Sequence, residues 1–599
     1  MSYLDPPRLH FAGTFQAAPS TVNNDPQHYD TATFDPADRE SSWNPRGDAV
    51  WRLLGCTVTE AVMADGSPAA GDDEVRGLAV ADSDRAVSAK LVDLDPQQQL
   101  VSMIFGLEVR LVTADGATWL RGRFRPAPFA DIWDRAKGGG GDIGAGAMYQ
   151  SVLTDLEWGD GAAGSPFLTE LREAAAGTGR LSIKFNVDGY NLDIRSPEFT
   201  RGRITGTIGP AGAGEPEHFV RGRQFMATVA PQSGFFTPAG KINFCVASVD
   251  EGRGKVIVDL GNALPATAPG GPMVNLGDLS VVCPLPPPPG QQQPRRLTVG
   301  KVRAATYTAA NWLESRAGVV ELPTDRSLTA DELEDVSSND LLILRTNEQG
   351  QPALGIAESP GGVYVRADQF VFRLDAGEEA GARLYATVRG RPYAGARVIT
   401  VFDPSQLQGG GPAPDVATPV DAVEYPVRVV TDDEGLAALP IRAGDPGTPR
   451  GYLDGQVYGL RPVLEETIYS PAGPYPFNQW TFISLLVWDA FVAEDPPTWH
   501  GSMRAIFQQY FNLYPVMDRM LDLSSYGSVC DRADILRLAF GLGADDPNSM
   551  PVTRDLSTPK RTAILRWLTD VGPDGKPLEG EAPPVAAAAP VAAPAPAPP

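Results

Sequence analysis

A mainly β, multidomain chain is what this sequence predicts: a β-rich N-terminal region, an immunoglobulin-like sandwich and a short C-terminal helical unit. Three observations carry that expectation. The 599 residues exceed what one hydrophobic core serves. The 63 glycines and 56 prolines are scattered between short apolar runs, as turns between short strands require. Sustained helical spacing is confined to one stretch, Trp499 to Asp570.

Taken in order, residues 1–290 read as the β-rich region. Strand-like runs are Arg8 to Phe15, Val50 to Val58, Ala89 to Asp93, Leu107 to Thr113, Leu181 to Val187 and Lys255 to Leu260. Period-two alternation in RLHF and LSIKFNV is what half-buried strands need. The run PLPPPPGQQQP (284–294) is extended and poor in backbone donors, so 291–361 reads as a linker and connecting segment.

Residues 362–470 read as the sandwich, with runs such as ARLYATVRG and LAALPIRAG joined by the turns RGRPYAG and TDDEG. Residues 471–572 combine an aromatic cluster (Tyr475, Phe477, Trp480, Phe482, Trp488) with amphipathic helices. The rings are expected to bury the junction with the sandwich. Ser557 and Thr558 before Pro559 mark a helix start. Residues 573–599 are rich in Pro and Ala; side chains this small do not offset ordering entropy, so a disordered tail is expected.

A formal charge of -24 repels nucleic acid and anionic lipid, which argues against non-specific binding to either. The alternating Arg121, Arg123 and Arg125 read as a solvated strand face. No window is apolar for the roughly 18 residues that a membrane span needs. Four dispersed cysteines without a CxxC pair, and an opening MSYLDPPRLHF without a signal pattern, fit a cytoplasmic protein.

The chemistry-bearing residues are sparse. Only four histidines exist, His10, His28, His218 and His500. His10, mid-strand, is the one catalytic candidate, against a default of a structural histidine. Asp25, His28 and Asp30 share a loop that offers oxygens and an imidazole to a cation, yet they match no ligand spacing, so no metal is expected. His218 follows Glu215 in a Gly/Pro loop and reads as surface; His500 reads as packing or capping. Gly138, Gly139, Gly140, Gly141, Gly144 and Gly146 form the richest glycine loop, a candidate ligand-binding lid, but lack the Gly-Lys-Ser/Thr of a phosphate cradle. Ser233 lacks the flanking glycines of a nucleophile elbow, and Cys245 lies among apolar residues as an inert thiol would.

The two ends carry more specific text. Leu4, Asp5, Pro7, Arg8, His10, Phe11, Gly13, Asn24, Asp25 and Pro26 resemble the opening of the tryptophan-dimer synthases of violacein and rebeccamycin biosynthesis. Met550, Pro551, Thr553, Arg554, Leu556, Ser557, Pro559 and Lys560 resemble the segment closing the non-ferritin half of those enzymes, and Tyr514, Pro515, Met517 and Leu523 fit upstream. In that family a ferritin-like domain follows and is the expected home of the metal chemistry; here a Pro/Ala tail stands in its place. A di-iron bundle takes two Glu-x-x-His pairs on helices, and the one pair here, Glu215 with His218, lies in a loop.

The resemblance therefore implies a non-catalytic binding or scaffold protein of secondary metabolism. It would need no cofactor and would act with a separately encoded oxidative or ferritin-like enzyme, with an aromatic small molecule as a further partner. The alternatives are an oxidative enzyme acting on an indole or other aromatic metabolite, with haem or iron, and an exported structural or toxin component.

Overall fold

Our computed structural model describes residues 2–18, 26–33, 47–228, 237–287, 295–347, 349–407, 415–470, 476–514, 517 and 520–582. The protein is mainly β, built from several sheets with few helices.

The first module is a closed antiparallel barrel. Its eight strands run in the order Arg8–Ala18, Arg201–Pro210, Leu181–Asp188, Ala145–Trp158, Thr118–Phe124, Glu108–Val112, Ala79–Ala81 and Val50–Val62, which pairs back with Arg8–Ala18. Closure removes the exposed edges that an open sheet of this size would leave. Inward positions alternate along each strand, and Phe11, Phe15, Trp51, Tyr149 and Phe185 fill the interior. The Phe15 and Trp51 rings stack at 5.2 Å, and Tyr149 meets Phe185 at 5.3 Å. Gly202 and Gly206 face Phe15 and Phe11, where any β-carbon would collide with the rings.

The second module is an eight-stranded sheet running from Arg223–Met226 to Pro352–Glu358 in sequence. This corrects the expected linker at 291–361. Arg295–Val302, Val319–Leu322, Leu342–Thr346 and Pro352–Glu358 all pair within this sheet, and Leu285 lies in it too. The proline run misled because the strands on either side of it, Leu279–Leu285 and Arg295–Val302, pair with each other. Residues 288–294 of that run lie outside the described residues.

The third module is a two-sheet sandwich. One sheet contains Val363–Ala367, Glu379–Val388 and Leu436–Ala443; the other contains Val371–Leu374, Ile483–Val487, Gln456–Leu464 and Arg397–Phe402. The boundary expected at 470 moves outward, because Ile483–Val487 is a central strand between Val371–Leu374 and Gln456–Leu464. Trp480, Phe482 and Trp488 are buried with it, whereas Phe477 is half exposed and Tyr475 lies outside the described residues.

The helices Arg504–Leu513, Tyr526–Asp531, Ala533–Gly541 and Thr558–Thr569 pack around Trp499, Phe507 and Trp567. Thr498, not His500, caps the turn that opens this unit. The expected tail also shortens from its front. Leu578 O accepts from the Trp499 amide and from Trp567 Nε1, so 573–582 dock on the helices. Residues 583–599 lie outside the described residues. No helix among the described residues is long and apolar enough to cross a membrane.

Candidate functional site

The outer face of the barrel is unusually polar where it packs on the second module. Strand register places Thr207, Lys184 and Gln150 in one row and Thr205, Asn186, Met148 and Asp131 in the next, and all but Met148 are buried. Lys184 Nζ lies 2.9 Å from Asp259 of the second module, and Tyr3 donates to the same carboxylate at 2.7 Å. Arg203 grips Asp188 through two nitrogens at 2.8 and 2.6 Å and reaches Glu314 at 3.0 Å. Arg135, fully buried beside Asp188, donates to Leu264 O and Gly261 O. These charges are spent on joining modules, since buried charges persist only when paired and hydrogen-bonded.

His10 belongs to this seam. It is 2% exposed, and its Nδ1 is 2.9 Å from Thr207 Oγ1. Burial, with Arg8, Arg316 and Lys184 nearby, holds its pKa well below the ordinary histidine value, so the ring is neutral and sealed from substrate. The structure places the catalytic candidate of the sequence inside this buried seam.

The glycine loop lies at a tight return of the chain. Gly138, Gly140 and Gly141 adopt positive φ, Gly139 packs on Gly144, and Gly146 lies against the Arg135 side chain. These contacts return the chain tightly from Asp131–Asp134 to Ala145–Trp158, and none of the six glycines lines the cavity or groove described below. Asp30 is spent on its own turn, accepting from the Ala32 amide and Thr33 Oγ1, and His28 sits in the single turn Pro26–Tyr29. Asp25 lies outside the described residues. Among the described residues no three His, Cys, Asp or Glu side chains are grouped to hold a metal.

The basic run resolves into pairs. Arg121 meets Glu108, Asp84 and Glu157, Arg123 meets Asp155, and Arg125 meets Glu217 at 3.0 Å. Burial raises the thiols, Cys56 to about 12 and Cys283 to about 11, with Cys245 and Cys530 also raised, which removes thiolate chemistry near neutral pH.

The accessible site is a groove of about 690 Å³ between the barrel, the sandwich and Asp545 of the helical unit. At its floor lies His218, 7% exposed, which corrects the surface reading of that residue. Its Nδ1 is 3.2 Å from Asp368 Oδ1, which also accepts from the backbone amides of Glu217 and His218 at 2.8 and 3.0 Å. Burial alone would raise the Asp368 carboxyl, but the imidazole and the two amides bring it below the ordinary aspartate value. His218 Nε2 has no hydrogen-bond partner among the described residues, and the residue lines the groove. Arg383, exposed on the groove wall, donates to Tyr385 Oη at 3.5 Å, has no ion-pair partner among the described residues, and also feels the fields of Asp368 and Glu217. Phe370 and Phe372 supply apolar wall. Sequence reading missed this pair because its members are 150 positions apart, and Asp368 carries no local motif.

No family model matches this chain, and no curated protein matches it. Among solved structures, one similarity is to trypsin-activated alpha-2-macroglobulin from Escherichia coli, at 9% identity and a TM-score of 0.13. The match covers 82% of this chain and 37% of that one, so the chain spans little more than a third of that protein. A likeness at this level carries no argument about fold or function.

Proposed function

We propose that the protein is a non-catalytic binding or scaffold protein that presents the His218 groove to a partner. It would work in secondary metabolism beside a separately encoded oxidative or ferritin-like enzyme, as the resemblance at the two chain ends implies. One observation carries the reading. The groove brings the His218–Asp368 pair and the exposed Arg383 guanidinium together with the apolar rings of Phe370 and Phe372. Apolar wall with a few placed polar and charged groups is the make-up of a recognition site.

The test is co-expression with an oxidative or ferritin-like enzyme from the native source, followed by affinity capture and metal analysis. Co-purification of that enzyme, with the iron travelling with it, supports the reading. Capture of the chain alone contradicts it.

A second reading, an oxidative enzyme acting on an indole or other aromatic metabolite, is favoured by the His218–Asp368 pair. In it Asp368 would orient the ring and His218 Nε2 would take a proton from the bound substrate. Haem or iron would supply the oxidation, and turnover by the isolated chain would establish this reading over the first.

A further inference from the structure

The seam between barrel and second module holds more oxygen acceptors than it uses. Asn243 Nδ2 and Asn262 Nδ2 both donate to Asp131 Oδ2, at 2.6 and 2.8 Å. That arrangement leaves Asp131 Oδ1, Asn243 Oδ1 and Asn262 Oδ1 buried without a hydrogen-bond partner among the described residues. The three side chains are 3%, 0% and 3% exposed. Asp131 and Asn262 line a cavity of about 50 Å³ where the barrel, the second module and the sandwich meet.

We propose that Asp131, Asn243 and Asn262 form a buried site for a dehydrated monovalent cation of the sodium or potassium class. Hard cations take oxygen ligands, and carboxylate with carboxamide oxygens is the usual set. A single carboxylate matches a single charge. Magnesium, which keeps several of its waters, is disfavoured in so small a space. An apolar ring is disfavoured too, since a cavity that binds benzene measures about 150 Å³.

Two neighbouring cations, Arg366 and Lys184, already act on Asp131, and neither pairs with it directly. Lys184 is matched by Asp259, and Arg366 donates to Ala130 O and lies over the rings of Phe219 and Phe370. Asp131 has no ion-pair partner of its own among the described residues, and an unpaired buried carboxylate is costly. Burial accordingly pushes its pKa up to about 7, against the opposing hydrogen bonds of the two asparagines. Proton and cation would compete for the same oxygen.

The full-length protein tests this at pH 8 by thermal unfolding in potassium, sodium or choline chloride at equal ionic strength. The expected result is a saturable rise of the midpoint, by about 2–4 °C, in potassium or sodium over choline. D131N should abolish the difference between the salts. Because that variant also alters the seam, wild-type crystals grown in rubidium chloride give a second reading, an anomalous peak beside Asp131. Equal midpoints in all three salts, or water alone at that position, would overturn the proposal.

Discussion

Lys184 and Asp259 lie 2.9 Å apart, each almost wholly buried, and their contact joins the outer face of the barrel to the second module. The pair is one of several that make the modules depend on each other. Replacing Lys184 by Met leaves Asp259 in the seam with Tyr3 and the Gly261 amide as its remaining donors. Removing one partner of a buried pair costs about 3–5 kcal/mol, so K184M should unfold at clearly lower denaturant. The urea midpoint of K184M against wild type checks this, and an unchanged midpoint would contradict it.

Arg223 and Glu358 make the same argument inside the second module, with two contacts at 2.6 and 2.5 Å and both side chains essentially inaccessible. The double variant R223M/E358L should be less destabilised than R223M alone, since the lone carboxylate is what costs most. Denaturant unfolding of the two variants decides the order.

Asp131 gives a pH dependence of definite sign. Its folded pKa, about 7, lies above the unfolded value of about 3.9. Between these values the folded state binds more protons than the unfolded one, so this group's contribution to stability falls as pH rises through the window. In choline buffer, D131N should therefore gain on wild type from pH 5 to pH 8, by on the order of 1–4 kcal/mol. Melting temperatures across that range provide the measurement; a constant gap would contradict the assignment.

His10 should behave as a packing residue. H10A removes the partner of Thr207 and opens space in the seam, at about 1–3 kcal/mol. Capture of the partner enzyme should persist at temperatures where the variant remains folded. Loss of capture by a folded H10A protein would restore His10 to the functional site.

Much of the fold was legible in the sequence, because period-two alternation and turn residues are local signals. The strands around His10, Leu181 and Lys255 and the helix start at Ser557 all follow from neighbouring residues. Module boundaries were less legible. Ile483–Val487 reads as a plain apolar run, and its parallel pairing with Val371–Leu374 is a long-range event that no local pattern encodes. The site was hidden for the same reason. His218 sits in a loop of Gly and Pro, and its meaning comes from Asp368 on another module. The glycines at 138–146 advertised a ligand loop, yet they answer to the bulk of Arg135 and to the tightness of a return.

The central claim, that the His218 groove is a recognition surface, is tested most directly by R383E. Arg383 is exposed on the groove wall, so reversing its charge should leave the thermal midpoint within about 1 °C of wild type, as surface changes usually do. Co-expressed with its oxidative or ferritin-like partner, wild type should retain that enzyme on affinity capture, and R383E should lose at least about tenfold of it, near 1.4 kcal/mol. Equal retention by the two proteins would contradict the account.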